Sequence, residues 1–314
     1  MNLHNDLKLY SDSIRATSQY LGIKEDFIEK DYWITKVLHN LSSNKFSSQT
    51  VFKGGTSLSK AYNLIARFSE DIDIAILHNE NATGNHIKNI IRTVSKNITT
   101  ELQELDIEGI SSKGSRFRKS VYQYLSFDQK NQSNKLILEI NSFANPYPYN
   151  VVSIASMIYQ FLFETDKSHY IEQYSLQPFT LNILRKEQTL VEKLVSLIRF
   201  SFSQNPTDEL SKKIRHFYDL YFLMNDSECS SFVLSDDFKI HFNMILNHDR
   251  TIFAEPEGWQ EMALEESPLM IDFKSIWSKI KTTYQTELSA LAYKQIPHER
   301  EIAINFESLI KNLI

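Results

Sequence analysis

The chain has 314 residues, 42% hydrophobic and 12% aromatic, enough apolar matter for one large domain or two lobes. Its 7 Gly and 7 Pro argue against a fibrous or disordered protein, and a formal net charge of −5 excludes a protein-wide basic field, so any nucleic-acid surface must be local. The single cysteine, Cys229, allows no internal disulfide, which suits a reducing cytoplasm.

The start, MNLHNDLKLYSDS, has no apolar signal-peptide core. Met1 to Leu41 reads as helical. Ile14, Ala16, Tyr20 and Leu21 outline one helix, closed near Gly22. Phe27, Ile28, Tyr32, Ile34 and Leu38 outline a second, starting near Lys24, with Tyr32 and Trp33 expected in the core. Ser42 to Gln49 is a polar loop.

Val51 to Leu77, VFKGGTSLSKAYNLIARFSEDIDIAIL, holds the chemistry. Val51 and Phe52 end a buried strand. Gly54-Gly55 breaks it, letting the backbone turn sharply and another group come close. Thr56 or Ser57 can cap a helix on which Leu58, Ala61, Tyr62 and Ile65 share a face, ending near Phe68-Ser69. In the strand that follows, Ile72, Ile74 and Ile76 face the core. Asp71 and Asp73 share the other face, about 7 Å apart. Two solvated aspartates on a surface strand are the ordinary reading of D-x-D alone. Beside a glycine turn that offers N–H groups to phosphate, the pair instead suits a divalent cation and phosphoryl or nucleotidyl transfer. The G-x-x-x-x-G-K-[ST] pattern of a P-loop is missing.

Asn79 to Asn85 reads as a polar turn. Ile87, Ile90, Ile91 and Val94 mark a helix extending towards Leu105. Lys113 to Phe127 favours a strand and carries Lys113, Arg116, Arg118 and Lys119. These cations either protect a solvated edge or form a patch for nucleotide or tRNA phosphates. Lys135 to Phe143, KLILEINSF, is a strand with Leu136, Leu138 and Ile140 on one face and Glu139 on the other. Val151 to Phe163 is expected to be a helix; its most apolar stretch, Met157 to Phe163, is too short to span a bilayer. Phe179 to Leu184 reads as a strand. Leu190, Val191, Leu194, Leu197 and Ile198 make a helical stripe. Gln204 to Glu209 reads as a loop. Lys212 to Met224 is helical, with Asp219 able to pair with Arg215 one turn back. Ser235 to Leu246, Phe273 to Leu291 and Glu299 to Ile314 read as further helices.

KGGTSLSK followed by SEDIDI resembles the first motif of the AbiEii/MenT-type toxins, a branch of the DNA polymerase β-like nucleotidyltransferases. Glu29 to Leu41 is similar to the helix that precedes that motif, Glu192-Lys193-Leu194 to a later motif, and RHFYDLY to the last. The likeness runs from about Lys24 to Leu223. It implies an α+β fold: a polymerase β-like nucleotidyltransferase lobe with a small mixed sheet and N-terminal helices over 1–184, and a helical C-terminal lobe over 185–314, with the nucleotide in a cleft between them. It implies Mg²⁺, as two ions, on Asp71, Asp73 and Glu139. Gly54, Gly55, Thr56 and Ser57 would hold the NTP phosphates, with Lys60, Arg67 and Ser69 as further nucleotide contacts. Lys193 would offset triphosphate charge, and Asp219 would join as a site carboxylate that positions Lys193 or the acceptor hydroxyl. The implied activity is transfer of a nucleotide from an NTP to an acceptor hydroxyl, the tRNA 3′ end being one candidate. The implied setting is a cytoplasmic bacterial toxin with a separate antitoxin, acting in growth control or phage defence and without a membrane partner. The other readings are a nucleotidyltransferase acting on protein or a small molecule, a phosphotransferase, and an inactive nucleotide-binding module.

Overall fold

The computed structural model describes residues 1–69, 71–78, 81–128 and 134–313. Asn79 and Glu80 of the expected turn, and Ile314 of the last expected helix, lie outside the described residues. The fold is α+β. It divides into two compact units, Met1–Tyr62 with Phe68–Leu184, and Asn63–Arg67 with Arg185–Ile314.

Among the described residues the first unit holds eight strands: β1 (Thr50–Lys53), β2 (Asp71–Ile76), β3 (Gln103–Leu105), β4 (Ser112–Lys113), β5 (Phe117–Gln123), β6 (Lys135–Asn141), β7 (Tyr149–Ile154) and β8 (Phe179–Leu184). They form one mixed sheet in the order β3-β5-β6-β2-β1-β8-β7, with β4 paired to β5. The β2–β6 and β1–β8 pairs are parallel and the others antiparallel. Its helices are α1 (Leu7–Leu21), α2 (Glu25–Ser42), α3 (Gly54–Lys60), α4 (Gly84–Ile98), α5 (Met157–Glu164) and α6 (Ser168–Gln173). Alternation builds the core: Ile72, Ile74 and Ile76 of β2 and Leu136, Leu138 and Ile140 of β6 are all buried. Helix α4 packs on β2 and β6 with Ile87, Ile90, Ile91 and Val94 buried. Each such side chain stabilises by about 1.5–3 kcal/mol. Tyr32 and Trp33 lie in the core as expected.

Four elements of this unit depart from the sequence reading. Helix α3 stops at Lys60 rather than near Phe68. Asn63 has φ +49°, a left-handed conformation that helices do not continue through, and Ile65 belongs to the second unit. Neither Thr56 nor Ser57 caps α3: Lys53 precedes it without a side-chain cap bond. Residues 149–154 are strand β7, not helix, because Val151, Val152 and Ile154 favour extended backbone and the segment pairs with β8 from Tyr149↔Leu184 to Ile154↔Phe179. Helix α4 ends at Ile98, and Gln103–Leu105 pairs as an edge strand with β5.

The second unit is helical: α7 (Lys186–Ser201), α8 (Pro206–Lys212), α9 (Ile214–Met224), α10 (Ser227–Val233), α11 (Asp236–Ile252), α12 (Pro268–Leu291) and α13 (Glu299–Lys311). The expected loop around Pro206 is instead α8, with proline in the first turn, where a missing N–H costs no helical bond. Phe306 packs against Phe217 and Phe273, with ring centroids 4.8 and 4.7 Å apart. Asn63–Arg67 joins this unit through an Arg67–Ala292 bridge and a 3.0 Å bond from Tyr293 N–H to the Ala66 carbonyl. Among the described residues no helix is long and apolar enough to cross a membrane.

Candidate active site

Strand β2 carries Asp71 and Asp73 half-buried on the face opposite Ile72, Ile74 and Ile76. Its antiparallel neighbour β1 sets Lys53 opposite Asp73. Its parallel neighbour β6 sets Ile137 opposite Asp71 and Glu139 opposite Asp73. Register thus brings Asp73 and Glu139 side by side, although 66 positions separate them in the chain.

The glycine turn fits against this strand. Gly54 has φ +80°, a conformation that disfavours any side chain. A Cβ there would run into the Asp73 carboxylate, lying 3.0 Å from its Cγ and 3.2 Å from its Cβ. The Thr56 hydroxyl donates to the Asp71 carbonyl, and the Ser57 hydroxyl donates to the Gly54 carbonyl at 2.8 Å. Both hydroxyls therefore hold the turn to itself and to β2. What the turn leaves half-open is the backbone of Gly54 and Gly55.

Lys60, expected at a phosphate, points inward instead. Its ammonium donates to Asp31 Oδ1 at 2.6 Å and to the Ala155 carbonyl at 2.7 Å, with side chains 8% and 2% exposed. The other Asp31 oxygen accepts the Met157 N–H at 2.7 Å, so one carboxylate ties together α2, α3 and α5. Asp31 was overlooked in the sequence; the available signal was an acid beside Ile28 and Tyr32 on an apolar helix, which must find a partner if buried. Ser69 is buried in this same unit.

The basic segment is largely paired. Lys113 and Arg118 share Glu104 at 3.3 and 2.9 Å, and Lys119 lies 3.5 Å from Glu139. The segment therefore carries its own counter-charges, and β5, flanked by β6 on one side and by β3 and β4 on the other, is not the edge strand expected from the sequence.

In the second unit Asp219 is fully buried and gripped from two sides. Arg67 donates through Nε at 2.7 Å and Nη2 at 2.6 Å, and Lys193 Nζ lies 2.8 Å away. The partner expected along its own helix, Arg215, is replaced by these two. Burial alone would raise the Asp219 carboxyl, but the two cations outweigh it and hold the group well below the usual carboxylate range. Arg67, expected at a phosphate, is thereby a buried partner of Asp219. His216, one turn before Asp219, is driven far below the ordinary imidazole range by burial and then by Lys193 and Lys213; its Nδ1 has no hydrogen-bond partner among the described residues.

Asp71 and Asp73 share a face and offer the hard oxygen ligands that a divalent cation takes. Among the described residues no three His, Cys, Asp or Glu side chains are grouped as a metal centre. Glu139 stands beside Asp73 in register, and its carboxylate lies 3.5 Å from Lys119 across the strand pair.

Comparison with known proteins adds the family. The chain is similar to MenT4, a nucleotidyltransferase toxin from Mycobacterium tuberculosis, at 15% identity and a TM-score of 0.49, over 94% of this chain and 98% of that one. No curated protein matches it. The family described as "Nucleotidyl transferase AbiEii toxin, Type IV TA system" matches residues 36–297, a span that takes in the glycine turn, the Asp71–Asp73 strand, Lys193 and Asp219. The chain therefore belongs to the AbiEii family of nucleotidyltransferase toxins from type IV toxin–antitoxin systems.

Proposed function

We propose that this toxin transfers a nucleotide from an NTP to an acceptor hydroxyl, using Asp71 and Asp73 to hold Mg²⁺. The observation that carries the reading is the pair of aspartates on one face of β2 with the side-chain-free Gly54 fitted against Asp73. Mg²⁺ on that pair would supply charge stabilisation for an in-line displacement at phosphorus. The acceptor oxygen bonds to the α-phosphorus, pyrophosphate leaves, and the acceptor proton passes to solvent. The Gly54 and Gly55 backbone meets the phosphates, while Thr56 and Ser57 keep the turn in shape. Glu139 is the candidate ligand for a second ion. Residues 1–184 act as the catalytic lobe and 185–314 as a helical lobe.

Lys193 offsets triphosphate charge in this reading, and Asp219 is a positioning residue that fixes the Lys193 ammonium. The acceptor is an RNA hydroxyl, with the tRNA 3′ end the first to try, on the strength of the family likeness alone. A separate antitoxin belongs beside it, with phage defence or growth control as the outcome. The buried free Cys229 fits a reducing cytoplasm.

The test offers total RNA, purified tRNA and cell lysate with each α- or γ-³²P-labelled NTP and Mg²⁺. Label from the α-position on RNA is expected, with Asp71→Ala reducing transfer by about a thousandfold while the protein stays folded. Transfer of γ-label would make the protein a phosphotransferase. Label on protein or a small molecule would replace the acceptor. Absence of metal-dependent turnover would leave an inactive nucleotide-binding module.

A further inference from the structure

The strand registers combine into one feature. Lys53 is opposite Asp73, Asp73 is opposite Glu139, and Glu139 is opposite Lys119. A single row therefore crosses β1, β2, β6 and β5 as lysine, aspartate, glutamate, lysine. Residues in register across neighbouring strands leave a sheet on the same face. The two acids are thus bracketed by two cations and the row carries no net charge. Asp71, two residues before Asp73, adds a negative charge on that face which the row does not match.

We propose that Lys119 is the resident counter-ion of Glu139 and limits the cations the acid row can take. On its own the row binds one divalent ion, at Asp71 and Asp73. A second ion reaches Glu139 only by displacing Lys119. The inference rests on the reading of Asp71 and Asp73 as the cation site. The Lys119–Glu139 contact is 3.5 Å long, with the side chains 32% and 26% exposed. So open a pair holds with a preference of only about two- to fivefold over its separated state. It blocks a weakly held ion and yields once bound nucleotide phosphates add ligands and negative charge. Lys119 is then a positioning residue for Glu139, and the second ion arrives with the nucleotide rather than before it.

The test needs neither nucleotide nor turnover: the protein is titrated with Mn²⁺ and the free ion is followed by EPR. The parent is expected to bind one Mn²⁺. A second ion binds the parent only weakly, and Lys119→Gln should lower the apparent Kd of that second ion about two- to fivefold. Glu139→Gln in the Lys119→Gln background should erase that gain. Lys113→Gln, which removes a nearby lysine paired to Glu104, should titrate like the parent. The proposal is overturned if Lys119→Gln behaves as the parent, if the gain survives loss of Glu139, or if Lys113→Gln produces the same gain. Asp71→Asn separates the two claims. Loss of the first Mn²⁺ supports the cation site whatever Lys119 does, and retention of full binding overturns that site and the inference with it.

Discussion

The first unit's acid row and the second unit's Asp219 knot use the same residue types to opposite ends. In the row, Glu139 and Lys119 meet at 3.5 Å with about a quarter to a third of each side chain exposed. In the knot, Asp219 is fully buried and held by three contacts of 2.8 Å or less from Arg67 and Lys193. Water screens the row, so its pairing energy is small and its charges can exchange partners. It is excluded from the knot, where removing the carboxylate takes a buried counter-charge from both cations. The same carboxylate chemistry is available to a ligand in one place and committed to the fold in the other.

Substitutions should separate the two regimes, and the largest effect is expected at Asp219. Asp219→Ala removes the buried carboxylate that Arg67 and Lys193 share, and urea unfolding should show a loss of about 3–5 kcal/mol. A shift under 1 kcal/mol would show that solvent reaches the knot. The Asp31–Lys60 pair is the first unit's own buried knot. Asp31→Asn should cost about 3 kcal/mol, and Lys60→Met in the same chain should recover part of it, because the stranded ammonium is gone.

A pH series sharpens the same contrast. The Asp219 carboxyl is depressed in the folded state, so its contribution is present above the unfolded value near 4 and is lost as pH falls through the folded value. The stability gap between the parent and Asp219→Ala should therefore narrow from about pH 5 downward, and a gap constant down to pH 3 would contradict the ion pairing. Gly54→Ala is next in size. The collision with Asp73 and the left-handed backbone should cost about 1–3 kcal/mol and depress transfer as well. At the small end, Lys119→Gln should change stability by no more than about 0.5 kcal/mol while altering Mn²⁺ binding.

The local geometry around the two aspartates is legible in the sequence. The alternation of Ile72, Ile74 and Ile76 with Asp71 and Asp73 places the acids away from the core, as found. The glycine pair marks the turn at which Gly54 must lack a side chain. The buried pairing of Lys60 and Arg67 is not legible in the sequence, because a lysine or arginine there carries no sign of a partner 29 or 152 positions away. The helix extended beyond Lys60 on paper because Ile65 happens to fall at helical spacing, whereas its segment packs with the second unit.

Local pattern by itself determined the glycine turn beside the Asp71–Asp73 strand, the strand faces and helices α7, α9, α11, α12 and α13, because these depend on spacing along the chain and on each residue's preference for water or core. Only the tertiary structure decided which charges meet. Strand register joins Asp73 to Glu139 and Glu139 to Lys119, and burial commits Arg67 to Asp219 and Lys60 to Asp31. The physical reason is that an ion pair depends on distance and on the water around it, and both are properties of the folded chain.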